Sequence, residues 1–287
     1  MTFRLLLPAL VMGCNPWPDY NSEYLENDLW DSSIVTLDDG VYARLPHSGQ
    51  LVRVGTDDTW HPVDLDGARP TRMSADLYKT RLLVHAEWPV CADPEASIKL
   101  VEDCPEEALS WESELAIVDN GERTAVAKVP RHLNAMKFTP DGNTAVAYLN
   151  DDIDAGSVTG PIVDLSEVLF IDLDSGDTHS VSVGFMPKEV LFTQDGTRAV
   201  VLSRSKAVVV DIENRSVTIE YPLTNDSDIE IDPSAAVLSP DDRYAMIAIA
   251  GERDLYKLDL EVVSIDIEGL EGVPSDLASD STNGQTL

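Results

Sequence analysis

The chain has 287 residues, 43% of them hydrophobic, which is enough to bury a sizeable core. Its 52 acidic residues against 20 basic ones give a formal charge of −32, which excludes nucleic acid as a partner and argues against adsorption to anionic lipid. Lysine occurs only at Lys79, Lys99, Lys128, Lys137, Lys188, Lys206 and Lys257, and such a surface suits high salt or a calcium-containing exterior, where counterions reduce self-repulsion.

Residues Met1 to Cys14 read MTFRLLLPALVMGC, with Arg4 as a positive region, Leu5 to Met12 as an apolar core and Gly13 as a small residue before a cysteine. The apolar run is shorter than the roughly 20 residues that span a bilayer. The segment resembles a bacterial lipoprotein signal with the lipobox Val11-Met12-Gly13-Cys14. That resemblance implies a signal peptide over residues 1–13, an acylated Cys14, and a tether over residues 14–33. It places the protein in the bacterial cell envelope, anchored to a membrane by lipid, and Asn15 after the cysteine implies the outer membrane. The competing reading is a buried first strand with an incidental cysteine.

Ile34 to Leu65 reads as part of a β-sheet unit, the first of a domain over residues 34–287. In the second unit, Cys91 and Cys104 flank an acidic insertion, WPVCADPEASIKLVEDCPEEALSW, that lengthens a loop. A disulfide between them would close a loop of 14 residues and contribute about 3 kcal/mol through chain entropy. Free buried thiols are the alternative. A metal pair is disfavoured because no histidine is near.

The clearest structural phrase is Val168 to Leu202. Val168-Leu169-Phe170-Ile171 is an apolar run, Asp174-Ser175-Gly176-Asp177 is turn chemistry, and Val181 and Val183 alternate with polar residues in the period of two of a half-buried strand. Gly184 and Pro187 break the pattern, Val190-Leu191-Phe192 begins another strand, Gln194-Asp195-Gly196 turns it and Ala199 to Leu202 returns. The acidic turn recurs at Asp141-Gly142, Asp195-Gly196 and Asp241-Asp242, roughly 50 residues apart, the spacing of propeller blades. Pro70, Pro130, Pro187, Pro233 and Pro274 lead the strand entries.

Asp172 through Leu202 is similar to the YVTN-type β-propeller repeat, a relative of WD-like repeats. Gly184-Phe185-Met186-Pro187 and Thr193-Gln194-Asp195-Gly196 occupy its two punctuation points, with Gln194 where proline is usual. Pro140 precedes Asp141-Gly142, and Ser239-Pro240-Asp241 is followed by Asp242 in place of glycine. The resemblance implies an all-β fold, a β-propeller of four-stranded antiparallel blades. Gly272 to Leu277 opens a further blade, and Thr282 to Leu287 resembles its turn and second strand. The family usually closes with seven blades, so the expectation is about five blades plus the start of another, a C-terminally truncated propeller.

Two acidic loops are candidates for a hard cation such as Ca2+: Asp151, Asp152 and Asp154 in the third blade, and Asp226 and Asp228 before the fifth. Neither has the order of an EF-hand, and solvated loop acids are the competing reading. His47, His61, His85, His132 and His179 read as surface or turn residues, with His132 a candidate for the central channel. No nucleophile elbow, zinc motif or phosphate loop is present. Two functions follow: a non-enzymatic, surface-tethered binding or scaffold module for a protein, glycan or small-molecule partner, or a lactonase-like, metal-assisted hydrolase with its site assembled from several blades.

Overall fold

The computed structural model describes residues 33–45, 48–57, 59–91, 108–131, 133–150, 165–224, 231–274, 276–280 and 285–286. They form five four-stranded antiparallel sheets and one two-stranded pair, with no α-helix among the described residues. Blade one is β1 (Ser33–Leu37), β2 (Gly40–Leu45), β3 (Gln50–Val54) and β4 (Trp60–Val63). Blade two is β5 (Arg69–Ala75), β6 (Arg81–Cys91), β7 (Leu109–Asp119) and β8 (Glu122–Lys128). Blade three is β9 (Ala135–Phe138), β10 (Thr144–Tyr148), β11 (Glu167–Asp172) and β12 (Thr178–Ser182). Blade four is β13 (Pro187–Phe192), β14 (Arg198–Ser203), β15 (Lys206–Asp211) and β16 (Ser216–Pro222). Blade five is β17 (Pro233–Leu238), β18 (Tyr244–Ile249), β19 (Asp254–Asp259) and β20 (Ser264–Gly269). After these, β21 (Ser279–Asp280) pairs with β22 (Gln285–Thr286).

Every blade is a meander in chain order, and the first strands of successive blades touch, β1 with β5, β5 with β9 and β13 with β17. First strands therefore lie innermost and the sheets stack around an axis, the architecture of a β-propeller. The stacking follows from residue alternation: along β14, Ala199 and Val201 pack into the seam with blade three, while Val200 and Leu202 pack into the seam with blade five. Four apolar clusters fill the four seams between five blades. The middle strands are buried on both faces, so β14 and β15 read as the unbroken runs AVVL and AVVV.

Three expectations are corrected. The Ile34 to Leu65 segment is a complete blade, not part of one; its outer strand, WHPV, carries a proline and little apolar alternation, which an edge strand tolerates. Ser33, assigned to the tether, opens β1. Residues Trp88-Pro89-Val90-Cys91 and Leu109-Ser110-Trp111 do not belong to a loop: they extend β6 and β7 to 11 residues each, and Cys91 pairs across the hairpin with Leu109. The Val168 to Leu202 phrase has the expected strands but straddles two blades, ending blade three and opening blade four.

The repeated turn between first and second strands is built by side-chain bonds. Thr139 Oγ1 donates to Asp141 Oδ1 at 2.6 Å, Thr193 Oγ1 to Asp195 Oδ1 at 2.7 Å and Ser239 Oγ to Asp241 Oδ1 at 2.6 Å. Two departures from the repeat pattern meet across the seam of blades four and five. Gln194 has the backbone N–H that proline lacks and donates it to Asp242 Oδ2 at 2.7 Å, while its side-chain amide donates to the Pro240 carbonyl at 2.8 Å. Asp242 holds the left-handed φ of 55° that glycine holds elsewhere.

Hydrogen bonds from Thr193 and Thr197 hold the Asp195 carboxyl below its usual value, and those from Ser239 and Arg243 do the same for Asp241. At Asp141 burial pushes upward, and the bonds from Thr139 and Asn143 outweigh it. Burial raises Asp242, reinforced by the charges of Asp195 and Asp241. A depressed carboxyl stabilises the fold above its unfolded value of 3.8, and that contribution is lost as pH falls through the folded value; the raised Asp242 acts in the opposite sense. The expected net result is a urea midpoint that falls between about pH 5 and 2, with a shallower fall in Asp195→Asn. An unchanged pH profile in that variant would show that the turn bonds add nothing.

Candidate binding face

Because every blade is a four-strand meander, connections alternate between the two ends of the propeller. Turns between strands one and two, and between three and four, lie at one end and are short, such as Asp76–Thr80, Thr139–Asn143 and Thr193–Thr197. Connections between strands two and three, and between successive blades, lie at the other end. The three longest internal ones, between β6 and β7, β10 and β11, and β16 and β17, all fall at that end. Long loops on one end of a rigid scaffold are where binding groups concentrate.

The candidate residues Cys14, Cys104, Asp151, Asp152, Asp154, Asp226 and Asp228 lie outside the described residues, as do His47 and His132. Their described neighbours do share one place. Asn150, which precedes Asp151, and the start of β17, which follows the Asp226 segment, line one polar cavity of about 250 Å3 with Lys188 and Glu189. Cations cross the inner strands here. Lys188 Nζ pairs with Asp232 Oδ1 at 2.9 Å, Lys137 pairs with Glu189, and Arg72 Nε donates to the Asn134 carbonyl at 3.3 Å. Asn134 and Asn150 lock the wall through reciprocal bonds of 2.6 and 2.9 Å. The mouth offers carboxylates, amides and ammonium groups to a polar ligand. Among the described residues no three His, Cys, Asp or Glu side chains converge as a metal centre, and no described helix is long and apolar enough to cross a membrane.

His85 is the misread residue. It is not at the surface but only 2% exposed, on the face of β6 that packs toward blade three. Thr71 Oγ1 lies 2.5 Å from its Nδ1 and donates to the His85 carbonyl at 3.1 Å, while the Pro130 carbonyl lies 3.4 Å from Nε2. The run Leu82-Leu83-Val84-His85-Ala86 carries the missed signal, since a histidine inside an unbroken apolar strand is buried with it. Nearby, Arg131 stacks 4.7 Å from the Trp111 ring and pairs with Glu87 at 2.9 Å, docking the link between blades two and three onto the extended hairpin.

No family model matches the chain, and no curated protein matches it. Among solved structures, hydrazine synthase from Kuenenia stuttgartiensis is similar over 86% of this chain and 70% of its own, with a TM-score of 0.50 and 15% identity. The dihydro-heme d1 dehydrogenase NirN is similar over 85% of this chain and 48% of its own, with a TM-score of 0.56 and 12% identity. The β-propeller domain of Cps50 (Swd1) from Myceliophteria thermophila has a TM-score of 0.44 and 12% identity, over 87% of this chain and 90% of that one. At such identities the likeness concerns fold alone; the two structures with TM-scores of 0.50 and 0.56, together with the five stacked sheets, make this chain a β-propeller.

Proposed function

We propose that this chain is a lipid-anchored envelope propeller that acts as a binding or scaffold module, engaging a protein, glycan or small molecule through its long-loop end. The observation that carries this reading is the gathering of the three longest internal connections at one end of a scaffold whose other end has short, self-bonded turns. The anchor rests on the lipobox-like Val11-Met12-Gly13-Cys14, and the reading adds a Cys91–Cys104 disulfide, the oxidised pairing that an exported protein carries.

Expression of the chain in a bacterial host, followed by detergent extraction and intact-mass measurement, tests the anchor and the disulfide together. The expected species begins at an acylated Cys14, partitions into detergent, and gains two hydrogens on reduction. Cys14→Ala is expected to remain in the aqueous phase. An unmodified Met1 in the wild-type product rejects the anchor.

A second reading, metal-assisted hydrolysis, is favoured by one observation: the described flanks of both acidic loops meet at the same cavity. It assigns Ca2+ to Asp151, Asp152, Asp154, Asp226 and Asp228, with dissociation constants of about 0.1–1 mM, as in extracellular modules. Calorimetric titration with calcium tests it, and heats that persist when Asp152 and Asp226 are changed to Asn place the ion elsewhere.

A further inference from the structure

At the short-turn end, two turns carry apolar tips where their counterparts in sister blades are polar. Between strands one and two, Gly142 N–H donates to the Thr139 carbonyl, Gly196 to Thr193, Asp242 to Ser239 and Lys79 to Asp76, at 2.8, 2.9, 2.9 and 3.1 Å. Leu77-Tyr78 therefore stands where blades three to five have Pro140-Asp141, Gln194-Asp195 and Pro240-Asp241. In those blades the aspartate closes the turn by accepting from the threonine or serine two residues before it. Blade two moves the carboxylate to the first position: Asp76 accepts the Thr80 backbone N–H at 2.7 Å and the Thr80 hydroxyl at 2.8 Å. The turn closes without its tip, and Leu77 and Tyr78 project, 70% and 66% exposed. The Lys79 carbonyl accepts the Asp38 N–H at 2.8 Å, which ties the tip to blade one, while the Tyr78 hydroxyl and the Lys79 ammonium have no partner among the described residues. Blade five makes a similar replacement between strands three and four. Asp259 Oδ1 accepts the Glu261 and Val262 N–H groups at 2.9 and 3.0 Å, as Asp172 Oδ1 accepts those of Asp174 and Ser175 at 3.1 and 2.8 Å. Val262-Val263 thus replaces Ser175-Gly176, and the two valines are 67% and 52% exposed. Val263 holds a φ of 56° where blade three has glycine, a strained choice for a β-branched residue that packs on nothing in its own turn.

We propose that the short-turn end is a self-association face, on which Leu77-Tyr78 of one copy packs against Val262-Val263 of a second copy while the reverse contact forms alongside. A two-fold axis midway between the two tips exchanges them, the isologous arrangement in which each patch is met by the other. The charges beside the tips are complementary. Lys79 follows Tyr78 without an ion pair among the described residues, and Glu261 precedes Val262 with its carboxylate 65% exposed and only a 3.8 Å approach from Arg243. Tyrosine on a preorganised tip is a residue type that dominates interface energies. Two small tips fall short of the roughly 1,200–2,000 Å2 of a standard interface, so the dimer is weak. The charge of −32 on each copy opposes the contact, and salt, which shortens the Debye length to about 3 Å at 1 M, strengthens it. The face lies opposite the long loops, so it goes beyond the proposed function and depends on neither the lipid anchor nor a ligand at the other end.

Sedimentation equilibrium of the full chain carrying Cys14→Ala, in sodium chloride at about 0.1 and about 1 M, tests the proposal. The expected result is a monomer–dimer equilibrium with a dissociation constant of about 0.1 mM at the higher salt, at least about tenfold weaker at the lower. Tyr78→Ser and Val262→Ser are each expected to weaken the dimer at least about tenfold and to leave the urea midpoint unchanged, since both side chains are exposed. The two variants mixed in equal amounts are expected to associate more tightly than either alone. The mixed dimer keeps one contact whole and carries both substitutions on the other, which can be lost only once. A chain that stays monomeric at about 1 mM in the higher salt leaves the tips to a different partner and overturns the proposal. Undiminished association of both variants, or a mixture no tighter than the tighter variant, overturns it as well.

Discussion

Phe170→Ala is expected to destabilise the chain by about 3–5 kcal/mol, the range for truncating a fully buried aromatic residue. Phe170 is completely buried on β11, opposite Val146 on one side and His179 on the other. It belongs to the cluster in the seam of blades three and four, with Tyr148, Val190, Val201 and Val210. Each of those neighbours sits on a strand hydrogen-bonded to strands on one or both sides, so the sheets cannot collapse into the vacated volume without breaking ladder bonds. The cost should therefore fall in the upper part of the range. Urea unfolding with unchanged slope and a lower midpoint is the expected readout. Ile267→Ala serves as the contrast: Ile267 is 58% exposed on the outermost strand of blade five, so its loss should stay within about 0.5 kcal/mol. Similar costs at the two positions would mean that the seams do not carry the fold.

The blades were legible because their signals are local. Alternation, an acidic turn and a proline entry each occupy a few residues, and propeller repeats place them at a constant spacing. The signals failed where a choice depended on the neighbouring blade. Blade one looked partial because β4 needs to satisfy only one neighbour, so its sequence carries proline and histidine without penalty. The extended β6–β7 hairpin looked like a loop because Pro89 and the following acids resemble turn composition. Only the pairing of Glu87 through Cys91 with Ser113 through Leu109 shows a strand. His85 was misassigned because its partners, Thr71 and Pro130, stand 14 and 45 residues away. The polar cavity at the long-loop end was partly legible, since the acidic loops pointed to its flanks while the lysines beside it were counted only as scarce.

Arg123→Met is expected to cost about 2–4 kcal/mol, somewhat less than breaking a fully buried ion pair because the site retains slight exposure. Arg123, on β8, places Nε 3.0 Å from Glu114 Oε1, and its two terminal nitrogens reach Glu114 and Asp66. The Arg123 and Glu114 side chains are only 14% and 10% exposed. Burial pushes the guanidinium pKa down, and the bonds and charges of Glu114 and Asp66 more than reverse this, leaving it raised. Removing the arginine strands a nearly buried carboxylate in a protein that already carries −32, and Lys128, opposite Glu114 across the strand pair, is already engaged by Glu112. The pair therefore has an asymmetric test. Glu114→Gln in the Arg123→Met background should recover most of the loss, because two neutral groups bury at little cost where one charge does not. Asp66→Asn should change stability by no more than about 0.5 kcal/mol, since Asp66 is 73% exposed and its pair is screened. A double variant no more stable than Arg123→Met would assign the cost to lost packing of the arginine stem instead of to the stranded charge.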